Sequence, residues 1–251
     1  MKSKLVGLAA FCLAAFCVTA NAAAQSVEKP WSVDASIGWD NSISGDFLAA
    51  GIGEINGVPI VIQSTSFGDV YGTGAIWQFG VGYMLDAINE VRGQFAYQRV
   101  GSDAVTLGTA GLSTFVGTFD DYKVSTFDAG YRHYFAYPDK KLRPYAGGTI
   151  GVAIIPEIDG IFAAPQAGIV RYQTDLYDGT AAFSFGVNGG LLYELSPRFD
   201  VTGQIGFRKN SGLAEIDDLE GTGLGQINDK SARWTIPITF GVRFKFGGTK
   251  P

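Results

Sequence analysis

Apolar and polar residues alternate with a period of two along eight stretches of this sequence, and no other feature constrains the fold as strongly. In the first stretch Trp31, Val33 and Ala35 share one face, while Ser32 and Asp34 share the other. Successive side chains of a β-strand point to opposite faces, so this alternation is typical of strands with one apolar and one polar face. Strands are therefore predicted over Trp31–Asp40, Gly74–Leu85, Glu90–Val100, Tyr122–Phe135, Arg143–Ile154, Ala181–Leu195, Phe199–Arg208 and Arg233–Phe246.

The connections between these strands alternate in length. Short turns at one end and long loops at the other are typical of transmembrane β-barrels, and a Greek-key sandwich would not give such regular spacing. The sequence therefore predicts an all-β fold, an antiparallel up-and-down transmembrane barrel of eight strands. The short connections lie near Asp86–Asn89, Ala136–Leu142 and Ser196–Arg198, and the long ones cover Asn41–Thr73, Gly101–Asp121, Ile155–Thr180 and Asn210–Ala232.

The first long connection contains a hairpin pattern of its own. Asn56-Gly57 is typical of a type I′ turn, and Ile55, Val58 and Ile60 flank it with apolar side chains. A hairpin inserted into the wall would give a barrel of ten strands. Eight strands are the prediction, and ten are the alternative.

The composition favours a sheet in contact with lipid over a soluble enzyme. The chain has 35 glycines and 13% aromatic residues, but only 17% charged residues. An apolar outer face with aromatic side chains at both membrane interfaces would produce such values. The formal net charge is −5, and it becomes −7 without Lys2 and Lys4. This balance argues against a nucleic-acid partner, which requires a basic surface.

The N-terminus has the organisation of a secretory signal. Two lysines precede an apolar core at Leu5–Thr19, and Ala20-Asn21-Ala22 forms an A-x-A cleavage site; cleavage after Ala24 is the alternative. Residues 1–22 are therefore predicted to be a cleavable signal peptide, and residues 23–251 an outer-membrane barrel domain. Both cysteines, Cys12 and Cys17, lie in the leader, so the mature chain has none for a disulfide or a metal site.

The last predicted strand carries a spaced pattern of polar, glycine and aromatic residues. Thr239, Gly241, Phe244 and Phe246 resemble the β-signal that the outer-membrane assembly machinery reads. An alternating edge strand can be recognised by strand addition, so these four residues are predicted to form an assembly signal. The pattern departs from the usual one because Gly247–Pro251 follow the final aromatic residue.

Two further segments extend this resemblance over almost the whole mature chain. Arg143–Ala153 is similar to the Pro-Tyr-x-Gly-x-Gly strand of small eight-stranded outer-membrane barrels, the OmpA/OmpX-like group. Gly189–Leu195, followed by a short turn and Phe199, resembles the late hairpin of the same group. The resemblance implies the fold and a location in the outer membrane of a Gram-negative bacterium, but it includes no catalytic residue.

The polar faces of the strands carry many charges that a closed barrel would enclose. An eight-stranded barrel holds little more than its own side chains, and buried charges are costly unless they are paired. We expect an ion-paired plug; the alternative is a narrow or gated pore with Arg92, Arg132 and Arg243 setting its selectivity. The predicted interior network is Glu90, Arg92, Asp128, Arg132, Arg143, Glu194, Asp200, Arg208 and Arg243.

Signs of catalysis and of metal binding are weak. The single histidine, His133, falls at the turn end of its strand beside aromatic residues, where it is expected to belong to an interfacial aromatic girdle. The acidic residues Asp217, Asp218 and Glu220 could hold Ca²⁺, but they lack a full calcium-loop pattern. No cofactor, catalytic residue or metal site is predicted.

The long connections are rich in apolar residues such as Phe47, Leu48 and Leu112–Phe119. We expect strands that extend above the membrane; the alternative is a sticky surface for an external ligand.

The predicted function is a structural outer-membrane barrel with extracellular interaction loops and no enzymatic activity. A narrow channel for ions or small hydrophobic molecules is the alternative, and a lipid-modifying enzyme a minor one. Expected partners are outer-membrane lipids, lipopolysaccharide, the assembly machinery and an extracellular ligand at the loops.

Overall fold

The fold is all-β and consists of one closed barrel with a second sheet at one of its ends. The computed structural model describes residues 29–136, 138–216, 219, 221–228 and 232–247. The predicted signal peptide, residues 1–22, lies outside the described residues, and its cleavage stays a prediction.

Eight antiparallel strands form the barrel. Each pairs with the barrel strand before it and the one after it in the chain, and the last pairs with the first. The predicted eight-stranded up-and-down barrel is therefore confirmed, with several strands a few residues longer at their loop ends than predicted. The barrel strands are β1 (Trp31–Ser44), β6 (Thr73–Met84), β7 (Asn89–Val100), β10 (Tyr122–Tyr134), β11 (Leu142–Ile155), β14 (Thr180–Ser196), β15 (Phe199–Asn210) and β17 (Arg233–Phe246).

The four long connections build a folded unit over one mouth of the barrel. We call this unit the cap; it comprises the described residues of 45–72, 101–121, 156–179 and 211–232. Seven of its strands form one sheet in the order β16-β13-β12-β9-β8-β4-β3, and β2 pairs with β5. The cap strands are β2 (Asp46–Leu48), β3 (Gly51–Ile55), β4 (Val58–Ile62), β5 (Thr65–Ser66), β8 (Val105–Ala110), β9 (Ser113–Phe119), β12 (Ile158–Ala164), β13 (Ile169–Asp178) and β16 (Ala214–Glu215), with helix α1 (Phe67–Val70) and a 3-10 turn at Pro165–Ala167.

The hairpin predicted at Asn56-Gly57 forms, but it belongs to the cap. Both residues have positive φ, 53° and 79°, as a type I′ turn requires, and β3 pairs with β4 on either side. The ten-stranded alternative is wrong because β1 and β6 pair directly, from Trp31 opposite Tyr83 to Asn41 opposite Thr73. No position remains between them for two more strands.

The apolar residues of the long connections pack into a core inside the cap. Phe47 lies at its centre, with its ring 4.9 Å from that of Phe119 and 5.3 Å from those of Phe67 and Tyr177. The expectation that the barrel strands simply extend upward is therefore wrong. Loop side chains in water bury their apolar area most effectively against one another, and the separate sheet allows this.

The last long connection ties the two edges of the cap sheet together. At one edge β16 pairs with Tyr177 and Asp178 of β13, and at the other the Glu54 N–H donates to Thr222 O at 2.7 Å. The Asn228 side-chain amide also donates to Leu176 O at 2.8 Å. These contacts cover part of both edges, which would otherwise expose unpaired backbone groups.

The outer wall of the barrel is apolar and bounded by aromatic residues. Trp31 and Trp39 project outward from β1 eight residues apart, about 26 Å along a strand and about 20 Å along the axis of a tilted barrel. This height is close to the apolar band of ~25 Å typical of outer-membrane barrels. Exposed apolar side chains between the two levels include Ile37, Phe79, Val81, Phe127, Ile150, Val187, Ile205 and Phe240.

Helices contribute little to this structure. Among the described residues, no helix is both long enough and apolar enough to cross a bilayer.

Truncating the buried side chain of Phe115 in the cap core is expected to unfold the cap while the barrel stays closed. Phe115 is 0% exposed and stacks on Phe162 at 5.5 Å, so Phe115→Ala should cost about 3–5 kcal/mol. Hydrogen exchange of cap peptides should accelerate, while heat-modifiable gel migration, which reports the closed barrel, stays unchanged. Leu112→Ala, at an exposed hairpin tip, is the control; slow exchange in the Phe115 variant would contradict the assignment.

Candidate functional site

A cluster of charges fills the barrel at the end that carries the short turns. Glu90 is 0% exposed, and it accepts hydrogen bonds from Arg243 at 3.0 Å and from the Tyr134 hydroxyl. Arg132 lies 3.7 Å from the same carboxylate. Two guanidinium groups and a phenol thus surround one carboxylate, and both guanidinium groups share it as their ion-pair partner.

Further ion pairs extend the network along the inner wall of the barrel. One Arg92 nitrogen donates to both carboxylate oxygens of Asp34, at 2.8 and 3.1 Å. Lys245 lies 3.1 Å from Glu194 and 2.8 Å from Asp200. The Arg92–Asp34 and Lys245–Glu194 pairs each bridge one intervening strand, and the Lys245–Asp200 pair joins two adjacent strands.

Glycine makes room for this packing on β6. A Cβ atom at Gly82 would lie 1.9 Å from a Glu90 carboxylate oxygen, and one at Gly80 would lie 2.4 Å from an Arg92 nitrogen. Side chains at these two positions would displace the network, so the small residues are required where long charged side chains meet the wall.

A second group of charges lies at the mouth beneath the cap. Asp128 faces Arg208 at 3.6 Å. Arg233 is 2% exposed, donates to Gln98 at 2.9 Å and lies over the Tyr122 ring at 4.4 Å. The sequence analysis did not name Arg233, although the alternation of β17 places it on the same face as Arg243.

The structure brings together eight of the nine predicted network residues as ion-pair partners. The ninth, Arg143, donates to the carbonyls of Ala136 and Ala87 and lies over the Tyr134 ring at 4.2 Å. It therefore anchors two short turns to the barrel end. Two further participants, Asp34 and Lys245, also alternate with the apolar face of their strands.

A small cavity lies among the charged side chains in the barrel interior. A cavity of about 10 Å³ lies between Asp34, Arg92, Arg132 and Arg243. Such a volume holds about one water molecule. Side chains therefore occupy the cross-section at this level.

The residues of the predicted assembly signal lie on β17, which closes the barrel against β1. Gly241 is required there because its Cβ would lie 2.2 Å from the Ala35 carbonyl oxygen. Thr239 is buried inside the barrel, whereas Phe244 and Phe246 stack 6.0 Å apart on the outer wall. Recognition of these residues by the assembly machinery stays a prediction.

His133 lies at the turn end of the wall, away from the cap. Its Nδ1 is 2.9 Å from Asn89 Oδ1, and its ring meets Phe135 edge-on at 5.3 Å. Asn89 in turn donates to Asp86 at 2.6 Å. The surroundings are those of an interfacial aromatic girdle, as expected from the sequence.

Acidic residues gather on one side of the cap. Glu157, Asp159 and Asp175 place carboxylate oxygens within 4.8 Å of one another. Partial burial raises the pKa of Asp159, and repulsion from Asp175 and Asp120 raises it further. The sequence did not reveal this group, because its members come together only through the pairing of β12 with β13. The weak Ca²⁺ candidate of the sequence, at residues 217–220, is a different group and falls largely outside the described residues.

The barrel combines an ion-paired polar interior with an apolar outer wall bounded by aromatic residues. Water-soluble proteins place these two surfaces the other way round, whereas a bilayer requires this arrangement. The chain is thus a small eight-stranded outer-membrane β-barrel protein. The short turns of such barrels generally face the periplasm and the long connections generally face outward.

Comparisons with solved structures find similar barrels at low sequence identity. Neisserial surface protein A is 16% identical with a TM-score of 0.41, over 86% of this chain and 97% of that one. OprG from Pseudomonas aeruginosa is 13% identical with a TM-score of 0.43, over 88% and 98%. The outer-membrane protease OmpT from Escherichia coli is 7% identical with a TM-score of 0.46, over 91% and 100%.

No protein-family model and no curated protein matches the chain. With TM-scores below 0.5, the structural matches carry no argument about activity. The assignment to the membrane is carried by the surface of the barrel itself.

Removing the central carboxylate is expected to destabilise the barrel strongly. Glu90→Gln keeps the shape of the side chain but leaves Arg132 and Arg243 without their buried counter-charge, at a cost of about 3–5 kcal/mol. Urea unfolding in lipid vesicles measures the loss. Glu54→Gln, on an exposed cap strand, should have no effect; equal stability of the two variants would contradict the network.

Two cap carboxylates are expected to change cap stability with pH in opposite directions. The pKa of Asp159 is raised, so its ionised form opposes folding, and Asp159→Asn should stabilise the cap at pH 7. The pKa of Asp69 is lowered by hydrogen bonds from Ser66, so Asp69→Asn should destabilise the cap at pH 7. The Asp159 difference should fade as the pH falls through the ordinary carboxyl range, whereas the Asp69 difference should persist to lower pH because its pKa is lowered in the folded state.

Hydrogen exchange of cap peptides between pH 7 and pH ~3 measures both effects, after correction for the intrinsic exchange rate. Differences of the same sign in the two variants would contradict the assigned environments.

Proposed function

We propose that this protein is a non-conducting outer-membrane anchor that presents a folded β-cap to the cell exterior. The observation that carries the proposal is the filled interior: ion pairs around Glu90 occupy the cross-section and leave about 10 Å³. Permeation of an ion would require these pairs to separate, and separated charges inside the barrel are costly.

The packed apolar core of the cap forms a second barrier to permeation, which supports the same proposal. Phe47, Phe67 and Tyr122 are each 1% exposed or less and pack at the mouth of the barrel, with Arg233 beneath Tyr122. A solute would have to cross an apolar core before it reached the charges. A gated channel would therefore need two rearrangements of different chemistry, one in the cap and one in the barrel.

The outer surface of the cap is suited to binding. Apolar side chains project from it at Ile52, Val61, Leu112 and Val170, and the first two are cross-strand neighbours on β3 and β4. Exposed apolar groups on a rigid sheet provide contact area at low entropic cost. The proposal therefore assigns the interaction role to the cap and gives the barrel the role of holding it.

Absence of catalysis is part of the proposal. His133 hydrogen-bonds to Asn89 at the turn end, on the opposite side of the membrane from the cap. A lipid-modifying enzyme that acts on the outer leaflet would need its catalytic groups near the cap. Expression should therefore leave lipid A mass unchanged, and a change that disappears in His133→Ala would overturn this part.

Ion conductance in planar bilayers tests the closed barrel. The wild-type protein should show no persistent current at either polarity. Arg132→Ala/Arg243→Ala should stay closed too, because Asp128, Arg208 and the cap lie above the emptied layer. Persistent wild-type conductance would support the channel alternative instead.

The orientation of the protein in the cell is tested by a separate labelling experiment. The mature chain has no cysteine, so Leu112→Cys in the cap and Arg198→Cys in a short turn provide single labelling sites. An impermeant maleimide should label the first on intact cells and the second only after permeabilisation. The reverse pattern would contradict the outward placement of the cap.

A further inference from the structure

We infer that the exposed edge of β13 in the cap is a self-association surface, which pairs in antiparallel fashion with the same edge of a second copy of this chain. The surface is the segment 171–175, and a two-fold axis through Gln173 relates the two copies. The inference follows from the order of the cap sheet and from the charges on β13. It does not depend on whether the barrel conducts or on a foreign ligand at the cap.

The outer side of β13 is open along most of its length. β12 pairs with the inner side of the strand. On the outer side β16 pairs only with Tyr177 and Asp178, and the Asn228 side-chain amide donates to the Leu176 carbonyl. Among the described residues, no strand pairs with the outer side of segment 171–175. Alternate backbone N–H and C=O groups of this segment are therefore available for strand addition.

The open segment is the regular part of β13. The register with β12 shifts on either side of it, and no shift lies within it. Arg171 and Gln173 are exposed and share one face, as shown by the hydrogen bond from the Arg171 guanidinium to Gln173 Oε1 at 3.2 Å. Tyr172 and Thr174 lie on the other face, toward the cap core. A second strand would thus meet an ordinary pleated edge.

The charges of this edge are self-complementary. In an antiparallel pair centred on Gln173, position 171 of one copy faces position 175 of the other. Arg171 would then lie beside Asp175 of the partner subunit, and the symmetry repeats this pair on the other side of the axis. Opposite charges in such cross-strand positions attract each other. Edges protected against association carry charges that repel a copy, whereas this edge carries opposite charges at equal distances from its centre.

A single copy leaves these charges without counter-charges. Asp175 lies opposite Asp159 on β12, and together with Glu157 they place carboxylate oxygens within 4.8 Å of one another. In the part of the chain that the structure describes, none of the three forms an ion pair, and Arg171 has no carboxylate partner. Like charges directly opposite each other destabilise a strand pair. The guanidinium of a second copy would supply the positive charge that this acidic group lacks.

The antiparallel arrangement keeps the two barrels apart. β13 runs from the turn at Pro165–Ala167 toward barrel strand β14, which begins at Thr180. The same strand of the second copy runs the other way, so the two barrels lie at opposite ends of the joined sheet. Because the interface is one short strand segment, the dimer is expected to be weak and to depend on protein concentration.

Disulfide formation by single-cysteine variants tests the register. The mature chain has no cysteine, so each variant has one thiol. Gln173→Cys lies on the two-fold axis, where facing Cα atoms are about 4.5–5.5 Å apart and a disulfide can form. Arg171→Cys lies about 13 Å from its own copy and should not cross-link. After oxidation of the purified protein in detergent micelles, a non-reducing gel should show dimers of the first variant only.

Leu112→Cys is the matched control for random collision, because it lies at the exposed tip of the β8–β9 hairpin. Equal cross-linking at positions 112 and 173, or at 171 and 173, would overturn the proposed register. A mixture of Arg171→Cys and Asp175→Cys proteins should form a mixed disulfide, although neither protein forms one alone. Heat-modifiable migration of each variant verifies that the barrel is closed.

Charge reversal tests the ion pairs separately from the register. In the Gln173→Cys protein, Arg171→Asp replaces each attraction by a repulsion and should lower cross-linking about tenfold. Further addition of Asp175→Arg exchanges the two charges and should restore cross-linking. Equal cross-linking of all three proteins would overturn the electrostatic pairing. On whole cells, cross-links from position 173 to a different protein, without the homodimer, would overturn the assignment of the partner as a second copy.

Discussion

Backbone hydrogen bonding governs this architecture, because a sheet edge within a bilayer would leave N–H and C=O groups with no partner. β1 and β17 remove the edges by pairing along their full length, from Trp31 opposite Phe246 to Ser44 opposite Trp234. Closure at eight strands then leaves an interior only wide enough for side chains. Charges that point inward must consequently find a counter-charge or a hydrogen-bond partner there, as Glu90 does with Arg132 and Arg243.

The cap follows the opposite packing rule from the barrel to which it is attached. The barrel is polar inside and apolar outside, whereas the cap buries Phe47, Phe115 and Phe162 and places polar side chains such as Thr114 and Gln173 outside. The difference reflects the surrounding solvent, which is lipid for the wall and water for the cap. The boundary between the two is narrow: on β7 the outward-facing side chain changes from Tyr97 to Arg99 in one step.

Much of the barrel could be predicted because its determinants are local. The period-two alternation defined the strands, and the same alternation placed Glu90, Arg92, Arg132 and Arg243 on one face. The partners within the network were not predictable in this way, since Glu90 and Arg243 are 153 positions apart and meet only when the ring closes. Arg143 shows how far alternation alone can predict the network. Its inward orientation was predicted correctly, but it binds carbonyl groups of two turns where an ion pair was expected.

By itself, the sequence determined an eight-stranded barrel with a charged interior and an apolar wall, because alternation and loop length are properties of neighbouring residues. The tertiary structure alone decided the fate of the long connections. Their apolar residues gave no periodic pattern that distinguished extended strands, a sticky surface or a core. Pairing among segments from four different loops settled this, because such contacts depend on strands that lie far apart in the chain.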